Sequence, residues 1–214
     1  MSFDAVAPWY RALETIAFGS ALQRCRVACL GEIRSPQQAL IVGEGNGRFL
    51  SELLRAHPGV QVDCVDASER MLQLTRERLE NARGDRAAQV RFLHREITTW
   101  VPPENAYDLI VTHFFLDCFP EPELAGVIRK LGSAAKPNAA WLLADFRLPA
   151  ERFARLHAQA WLAVMYRFFR FTAQIPAREL IDPTPVLEAA GFALARQYLF
   201  RHGLLKSELW SRNS

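Results

Sequence analysis

Three glycines at alternate positions, Gly43, Gly45 and Gly47, follow a short apolar run. Glycine lets a backbone take left-handed dihedral angles and approach a ligand closely. The helix predicted to begin at Arg48 directs its unpaired N–H groups to the same place. This strand–turn–helix pattern predicts a binding site for a nucleotide-type ligand. The Gly-x-Gly-x-x-Gly fingerprint of dinucleotide sites is absent, because Arg48 stands where its third glycine would be.

An acidic residue follows the next predicted strand, Val60–Val65, and lies 19 residues after Gly47. Adjacent strands of a parallel sheet with right-handed crossovers end side by side. We therefore expect the Asp66 carboxylate beside the glycine turn, as an acceptor for two ribose hydroxyls. The alternative is a helix-capping aspartate, and Ser68 is a further candidate cap for the helix predicted over Met71–Ala82.

Two candidate proton-transfer residues, His113 and Asp117, follow the fourth predicted strand, Tyr107–Thr112. This strand is apolar along its length, as expected for one that is buried on both faces. Histidine has an ordinary pKa that suits proton transfer near neutral pH. His113 is thus the first candidate for a general base, with Asp117 as its partner. A structural histidine and a helix-capping aspartate are the alternatives.

The composition is typical of one globular domain with a sizeable core, since 50% of the 214 residues are hydrophobic and 23% are charged. The net charge of +3 is spread along the chain, so it indicates no nucleic-acid partner. No apolar stretch reaches the roughly 18 residues of a membrane span, and no signal-peptide pattern is present, which predicts a cytoplasmic protein. Cys25 and Cys29 are interpreted as buried thiols on a helix, and no metal site is predicted.

Alternating strands and helices must position these residues. A helical segment over Phe3–Ile33, divided near Gly19, precedes the first strand. The remaining strands are predicted over Ala39–Val42, Gln89–Leu93, Ala139–Phe146, Phe192–Phe200 and Leu204–Trp210, and the remaining helices over Arg48–His57, Leu124–Leu131, Glu151–Phe171 and Val186–Ala190. The Glu151–Phe171 helix is apolar nearly all round in its second half, so it must be buried on more than one side. It could cover an acceptor pocket, form a dimer interface or be an ordinary core helix.

The order of these motifs over about residues 36–214 resembles that of class I S-adenosylmethionine-dependent methyltransferases. In that family an acidic residue usually precedes or lies inside the glycine turn, as Glu44 does here. The strand ending Asp145-Phe-Arg-Leu-Pro149 is similar to the quinone-biosynthesis C-methyltransferases, although Lys136-Pro-Asn-Ala139 replaces their glycine-rich turn. The resemblance implies an α/β fold with a Rossmann-like seven-stranded sheet, helices on both faces and a C-terminal antiparallel β-hairpin. It also implies an N-terminal helical lid over 1–34, a methyltransferase domain over 35–214 and a helical cap insertion over 150–180.

The resemblance assigns S-adenosyl-L-methionine as the cofactor and proposes individual contacts to it. Met71 would pack against adenine and Glu96 would face the adenine amino group. The alternatives are a core methionine and a surface ion pair of Glu96 with Arg95 or Arg91. The implied cofactor-binding residues are Gly43, Glu44, Gly45, Asn46, Gly47, Asp66, Ala67, Met71, Glu96, Ile97, Thr112 and His113. His113 and Asp117 are the candidate catalytic residues, and Tyr10, Phe114, Arg147 and Tyr166 the candidate substrate contacts.

The predicted activity is therefore O- or C-methylation of a small apolar or aromatic acceptor. Residues His113 to Phe119 replace the Asn-Pro-Pro-Tyr sequence that marks methylation of exocyclic base amines, which argues against a nucleic-acid substrate. Two alternative functions remain open: a non-catalytic cofactor-binding module that mediates protein interaction, and a methyltransferase of protein or nucleic acid. Assembly into a homodimer is also left open. A nicotinamide-dependent oxidoreductase is disfavoured by the glycine spacing.

Overall fold

The computed structural model describes residues 19–81, 86–149 and 179–212, together with single positions between 150 and 178. The helices are α1 (Ala21–Val27), α2 (Arg48–Ala56), α3 (Glu69–Glu80), α4 (Glu121–Ala134) and α5 (Thr184–Ala189). The strands are β1 (Gln38–Val42), β2 (Gln61–Asp66), β3 (Val90–His94), β4 (Tyr107–His113), β5 (Ala135–Phe146), β6 (Phe192–Phe200) and β7 (Leu205–Arg212). Residues 1–18, with Tyr10, and Tyr166 lie outside the described residues. Arg155 and Arg167, inside the predicted Glu151–Phe171 helix, are helical.

The seven strands form one sheet in the order β3-β2-β1-β4-β5-β7-β6. Strands β1 to β5 are parallel, and β7 runs antiparallel to both of its neighbours, β5 and β6. The chain first builds outward from β1 to β3 and then returns to place β4 on the other side of β1. Ligands of open α/β sheets bind at such a switch point, outside the carboxyl ends of the strands. The seven-stranded sheet with a C-terminal hairpin confirms the predicted fold.

The core lies on both faces of the sheet, and β1 shows why. Leu40 and Val42 pack into one cluster, with the apolar stripe of α4, while Ala39 and Ile41 pack into the other, with that of α2. Successive side chains of a strand point to opposite faces, so a fully apolar strand serves both layers. The site at the end of β1 is therefore positioned by a strand that is packed on both faces.

Helix boundaries differ from the predictions where capping, not apolar spacing, sets them. Helix α3 begins at Glu69, two residues earlier than predicted, because the Ser68 hydroxyl accepts the Met71 N–H at 3.1 Å. Helix α4 extends beyond Leu124–Leu131 on both sides. Its first turn carries two glutamates, which favour a helix N-terminus, and these lie outside the apolar stripe from which the shorter helix was predicted.

The turn predicted at Lys136–Asn138 is instead an irregularity inside β5. The β4–β5 register passes from Tyr107 opposite Ala135 to Leu109 opposite Ala140, so β5 holds extra residues there. Asn138 has a φ of 63°, a left-handed conformation that asparagine tolerates. The strand therefore begins four residues earlier than predicted. In the part of the chain that the structure describes, no helix is long and apolar enough to cross a membrane.

Candidate functional site

A cavity opens at the carboxyl ends of β1, β2, β3 and β4 and encloses about 620 Å³ counted to its open mouth. Of the residues proposed from the sequence, the cavity is lined by Gly43, Gly45, Asp66, Ala67, Met71, Glu96, Ile97 and Phe114. Val42, Arg95, Phe115 and Cys118, which were not proposed, line it too. The structure thus brings together the glycine turn and the ends of the two neighbouring strands, as the switch-point topology requires.

The glycine turn has a backbone that other residues would strain. Gly43, Gly45 and Gly47 have φ values of 69°, 75° and 78°. A Cβ on Gly43 would overlap the Phe115 ring, and one on Gly47 would lie 3.0 Å from Thr75 Cγ2. Glycine at these positions therefore satisfies both the dihedral angles and the close packing around the cavity.

Two side chains of α3 hold the turn from behind. The Thr75 hydroxyl donates to the Gly45 carbonyl oxygen at 3.0 Å, and the Arg78 Nε donates to the Asn46 carbonyl oxygen at 2.6 Å. These bonds hold the carbonyl oxygens of Gly45 and Asn46 and thereby fix the planes of the peptide groups to which they belong. No local sequence pattern predicts these two bonds, since each joins residues about 30 positions apart.

Glu44 faces away from the cavity and caps α2. Its Oε1 accepts the N–H groups of Phe49 at 3.0 Å and Leu50 at 2.9 Å, which are donors that a helix start leaves unpaired. Burial raises the pKa of this carboxyl from 4.5 to about 7, against the opposing effect of the two N–H groups and of Arg26. Asn46 and Gly47 likewise shape the turn without lining the cavity.

Asp66 lies at the cavity, as a ribose contact would require, and that contact stays a prediction. It ends β2 at the cavity wall, and its Oδ1 accepts the Ser68 N–H at 2.9 Å. The helix cap itself is Ser68, so Asp66 orients the turn that leads into α3. The Gly43 N–H donates to the Val65 carbonyl oxygen at 2.9 Å, which joins the glycine turn to the residue before Asp66.

The far end of the cavity, beyond β2, is apolar with one acidic wall. Met71 and Ile97 are buried and face it, and Glu96 lies beside them. Arg91, one candidate surface partner of Glu96, instead forms an ion pair with Asp63 at 2.5 Å. This combination of flat apolar surface and a carboxylate suits a base with an exocyclic amine.

Thr112 and His113 lie near the site but do not line the cavity. The Thr112 hydroxyl accepts the indole N–H of Trp141 at 2.8 Å inside the core. The His113 ring packs edge-on against Phe49, with 4.4 Å between centroids. Burial, assisted by Arg26, lowers the pKa of His113 well below its usual value, so the imidazole is neutral and a weak proton acceptor. His113 Nδ1 has no hydrogen-bond partner among the described residues.

Two phenylalanines after β4 form the cavity wall beside the glycine turn. Phe114 has a φ of 52°, which is unusual for a large residue and turns the chain at the strand end. Its ring packs on Phe146 at 5.3 Å between centroids, and Phe115 packs on Phe119 at 5.1 Å. The wall is therefore aromatic and anchored on β5.

A buried carboxyl pair lies behind this wall. Asp117 follows β4, Asp145 ends β5, and their exposed fractions are 7% and 2%. The two carboxyl groups interact, and the interaction affects the pKa of both. Burial raises the pKa of both groups, and that of Asp145 is raised further by the Asp117 charge. Only the adjacency of β4 and β5 brings them together, so the sequence identified Asp117 without its partner.

A row of buried polar residues on β7 continues from this pair. Lys206, directly opposite Asp145 in the sheet, lies 3.1 Å from the Glu208 carboxylate. Glu208 also accepts the Trp210 indole N–H at 3.0 Å. Arg147, a proposed substrate contact, follows β5, and its backbone N–H donates to the Leu204 carbonyl oxygen at 2.8 Å. Arg147 therefore lies at the carboxyl end of β5, as the Asp117–Asp145 pair does.

The two cysteines at helical spacing are buried thiols, as predicted, but only Cys25 lies on α1, because the helix ends before Cys29. The Cys25 thiol donates to the Lys206 carbonyl oxygen at 3.2 Å, and Cys29 lies 3.6 Å from the Ser207 hydroxyl. Both contacts tie the N-terminal segment to β7.

Comparisons with known proteins agree with this geometry. Residues 40–140 match the family model of a methyltransferase domain. A malonyl-[acyl-carrier protein] O-methyltransferase of Halalkalibacterium halodurans is 28% identical over 60% of this chain and 45% of its own length. A trans-aconitate 2-methyltransferase of Variovorax paradoxus is 34% identical over 51% of this chain and 39% of its own length. The chain spans less than half the length of these two relatives.

Solved structures share the fold at low sequence identity. The S-adenosylmethionine-dependent methyltransferase SibL is 21% identical, with a TM-score of 0.72 over 96% of this chain and 58% of its own. A Burkholderia thailandensis 1,6-didemethyltoxoflavin-N1-methyltransferase with bound S-adenosylhomocysteine is 16% identical, with a TM-score of 0.68 over 98% of this chain and 85% of its own. Residues 40–140 thus match a methyltransferase domain, and the chain shares the Rossmann-like fold of S-adenosylmethionine-dependent methyltransferases.

Proposed function

We propose that this chain binds S-adenosylmethionine across the carboxyl ends of β1, β2 and β3 and methylates a small molecule on oxygen. The observation that carries the proposal is the layout of the cavity. Met71, Ile97 and Glu96 suit adenine, Asp66 suits the ribose hydroxyls, and the glycine turn leaves room for the sulfur and the amino-acid portion. Each part of the cofactor thus meets a wall of matching chemistry.

The residues of the chain act mainly by positioning. When bound, the cofactor supplies a methyl group on a sulfonium, which already has a good leaving group. Thr75 and Arg78 hold the turn from α3, so the cofactor meets a preformed surface. Holding two reactants in line can contribute roughly 7–11 kcal/mol to the rate through effective molarity. Phe114 and Phe115 close the wall toward β4 and limit access of water.

The acceptor is proposed to approach from the ends of β4 and β5. The aromatic wall there favours an apolar or aromatic body, and Arg147 favours an acidic group on it. A phenol or hydroxyl acceptor must lose a proton, and the Asp117–Asp145 pair is a nearby proton acceptor whose raised pKa values suit neutral pH. Both curated relatives are named for acidic molecules, malonyl-[acyl-carrier protein] and trans-aconitate, which supports an acidic acceptor.

Binding and turnover can be tested separately. S-adenosylhomocysteine is titrated calorimetrically into the wild type, Asp66→Ala and the control Glu69→Ala, which removes an exposed acid at the start of α3. We expect about 100-fold weaker binding for Asp66→Ala alone, because charge-assisted hydrogen bonds contribute roughly 1.5–3 kcal/mol each. Equal affinities in all three proteins would refute the ribose contact.

Methyl transfer is then measured with a panel of phenols and small carboxylic acids. Asp117→Asn should slow transfer to phenols at pH 7 and leave transfer to carboxylates, which are already ionised, unchanged. Wild-type binding of S-adenosylhomocysteine without transfer to any acceptor would favour the non-catalytic binding module instead.

A further inference from the structure

Lys206 is a buried lysine near the start of β7, in the row of polar residues that continues from the carboxyl pair. Its side chain is 6% exposed, and its Nζ lies 3.1 Å from Glu208 Oε2 and 3.7 Å from Asp182 Oδ1. Glu208 is buried as well, with an exposed fraction of 1%. A buried ion pair adds little stability compared with apolar side chains of the same volume. The role of this pair therefore depends on what its charges face.

The sheet places Lys206 beside the Asp117–Asp145 pair. Lys206 is directly opposite Asp145 in the antiparallel β5–β7 register, whereas Glu208 is opposite Leu143. Side chains of directly opposite residues lie on the same face of a sheet, with Cβ atoms roughly 4.5–5.5 Å apart. Lys206 is thus placed nearer than Glu208 to the Asp145 side chain. Burial, and then the charge of Asp117, raise the pKa of Asp145, and the Lys206 charge opposes this rise.

Two thiols also interact with Asp145, from two further elements of the described chain. Cys25 reaches it from α1 and Cys118 from the segment after β4. Burial raises the pKa of each thiol, so both are neutral at pH 7. The two carboxylates that contact Lys206 are acidic and attract its ammonium. The positive charge that acts on Asp145 is therefore that of Lys206.

A carboxyl pair accepts a proton only if one of its members is ionised. Two buried carboxyls that lie together favour their protonated forms, because burial disfavours charge and a second negative charge repels the first. A unit positive charge roughly 6 Å away, at an effective dielectric constant of about 20, lowers the pH of ionisation by about two pH units. An effect of this size decides whether the pair is ionised at neutral pH.

We propose that Lys206 is a positioning residue that keeps one carboxylate of the Asp117–Asp145 pair ionised for proton transfer. This inference rests on the proton transfer proposed above. Lys206 acts through Asp145, and Glu208 holds its ammonium from the same face of β7. The ionised carboxylate accepts the proton of the acceptor's hydroxyl group, and the pair releases that proton to water after methyl transfer.

The ionisation of the pair can be measured without turnover. The aspartate carboxyl carbons are labelled with carbon-13 and titrated by nuclear magnetic resonance, and Asp117→Asn and Asp145→Asn assign the signals. In Lys206→Met we expect the first ionisation of the pair to move up by about one to two pH units. Glu208→Gln removes a negative charge beside Lys206 and keeps an oxygen for the Trp210 indole, so it should move this ionisation down.

The control Lys136→Met removes a lysine at the other end of β5, which lies 3.5 Å from Asp108, and should match the wild type. Methyl transfer to a phenol is then followed across the same pH range. The acidic limb of the rate profile should move up in Lys206→Met and down in Glu208→Gln, and transfer to a carboxylic acid should move in neither. A purely structural role would not shift the two profiles in opposite directions.

An unchanged titration in Lys206→Met, or shifts of the same sign in both variants, would overturn the effect of Lys206 on the pair. If Lys206→Met does not fold, the double variant Lys206→Met/Glu208→Gln removes both charges. It should still move the ionisation up, since Glu208 is the more distant charge. Opposite titration shifts with an unmoved phenol profile, or with no transfer at all, would instead refute the proton transfer proposed above.

Discussion

The buried carboxyl of Glu44 should make the stability of this protein fall as pH rises. Its pKa is about 7 in the folded chain and near 4.5 when the side chain is in water. Between these values the folded chain binds more protons than the unfolded chain, so the free energy of unfolding decreases with pH. At about 1.4 kcal/mol per pKa unit, the decrease totals about 3 kcal/mol between pH 4.5 and 8.

Glu44→Gln removes this titration and keeps an oxygen that can accept the N–H groups of Phe49 and Leu50. We therefore expect the variant to gain about 3 kcal/mol relative to the wild type between pH 4.5 and 8. The assay is urea denaturation of both proteins at intervals across this range, read by far-ultraviolet circular dichroism. Other titrating groups, the Asp117–Asp145 pair included, cancel in the difference between the two curves when they act independently.

Glu52→Gln, on the partly exposed side of the same helix, is the matched control and should keep the wild-type profile. Parallel pH profiles of the wild type and Glu44→Gln would show that burial does not raise the pKa of Glu44. A variant that loses stability at every pH would indicate instead that the ionised carboxylate is a better cap than its amide.

Three further predictions follow from single contacts of the site. Gly43→Ala should abolish binding of S-adenosylhomocysteine, because its Cβ overlaps the Phe115 ring at a φ of 69°, whereas Gly59→Ala, which meets open space, should bind normally in calorimetry. Thr75→Val should weaken that binding several-fold with little change in melting temperature, since it removes only the bond that holds the Gly45 carbonyl. Thr112→Val should leave binding unchanged and lower the free energy of unfolding by about 1–3 kcal/mol, because it orphans the buried Trp141 indole N–H.

The sequence predicted those parts of the molecule that short patterns determine. Each parallel strand is a local apolar run, the glycine turn is a contiguous motif, and Ser68 caps α3 from within the next turn. The position of Asp66 followed from these, because adjacent parallel strands end together. Cavity residues Met71, Glu96 and Ile97 were located through the family resemblance, since they lie one or a few positions beyond a strand end.

Contacts between distant segments lay beyond sequence reasoning. Nothing local distinguishes Arg26, which is buried, from Arg24, which is exposed two positions earlier. The pairing of Asp117 with Asp145 depends on β4 and β5 being neighbours. The family resemblance proposed Thr112 and His113, at the end of a strand, as cofactor contacts, but successive side chains of a strand point to opposite faces. Thr112 faces Trp141 and His113 faces Phe49, so both enter the core.

Three buried carboxyl groups of the described chain share one region, and this has an energetic consequence. Glu44, Asp117 and Asp145 all lie at the carboxyl ends of central strands, and burial raises the pKa of each. Each therefore lowers the stability of the folded chain at neutral pH relative to a neutral side chain of the same shape. The core is packed on both faces of the sheet around β1 and β4, and this packing holds the three carboxyl groups in place. Polar groups fixed in a dry site need no reorganisation when a charged cofactor or acceptor arrives, which is the condition for strong electrostatic control of methyl transfer.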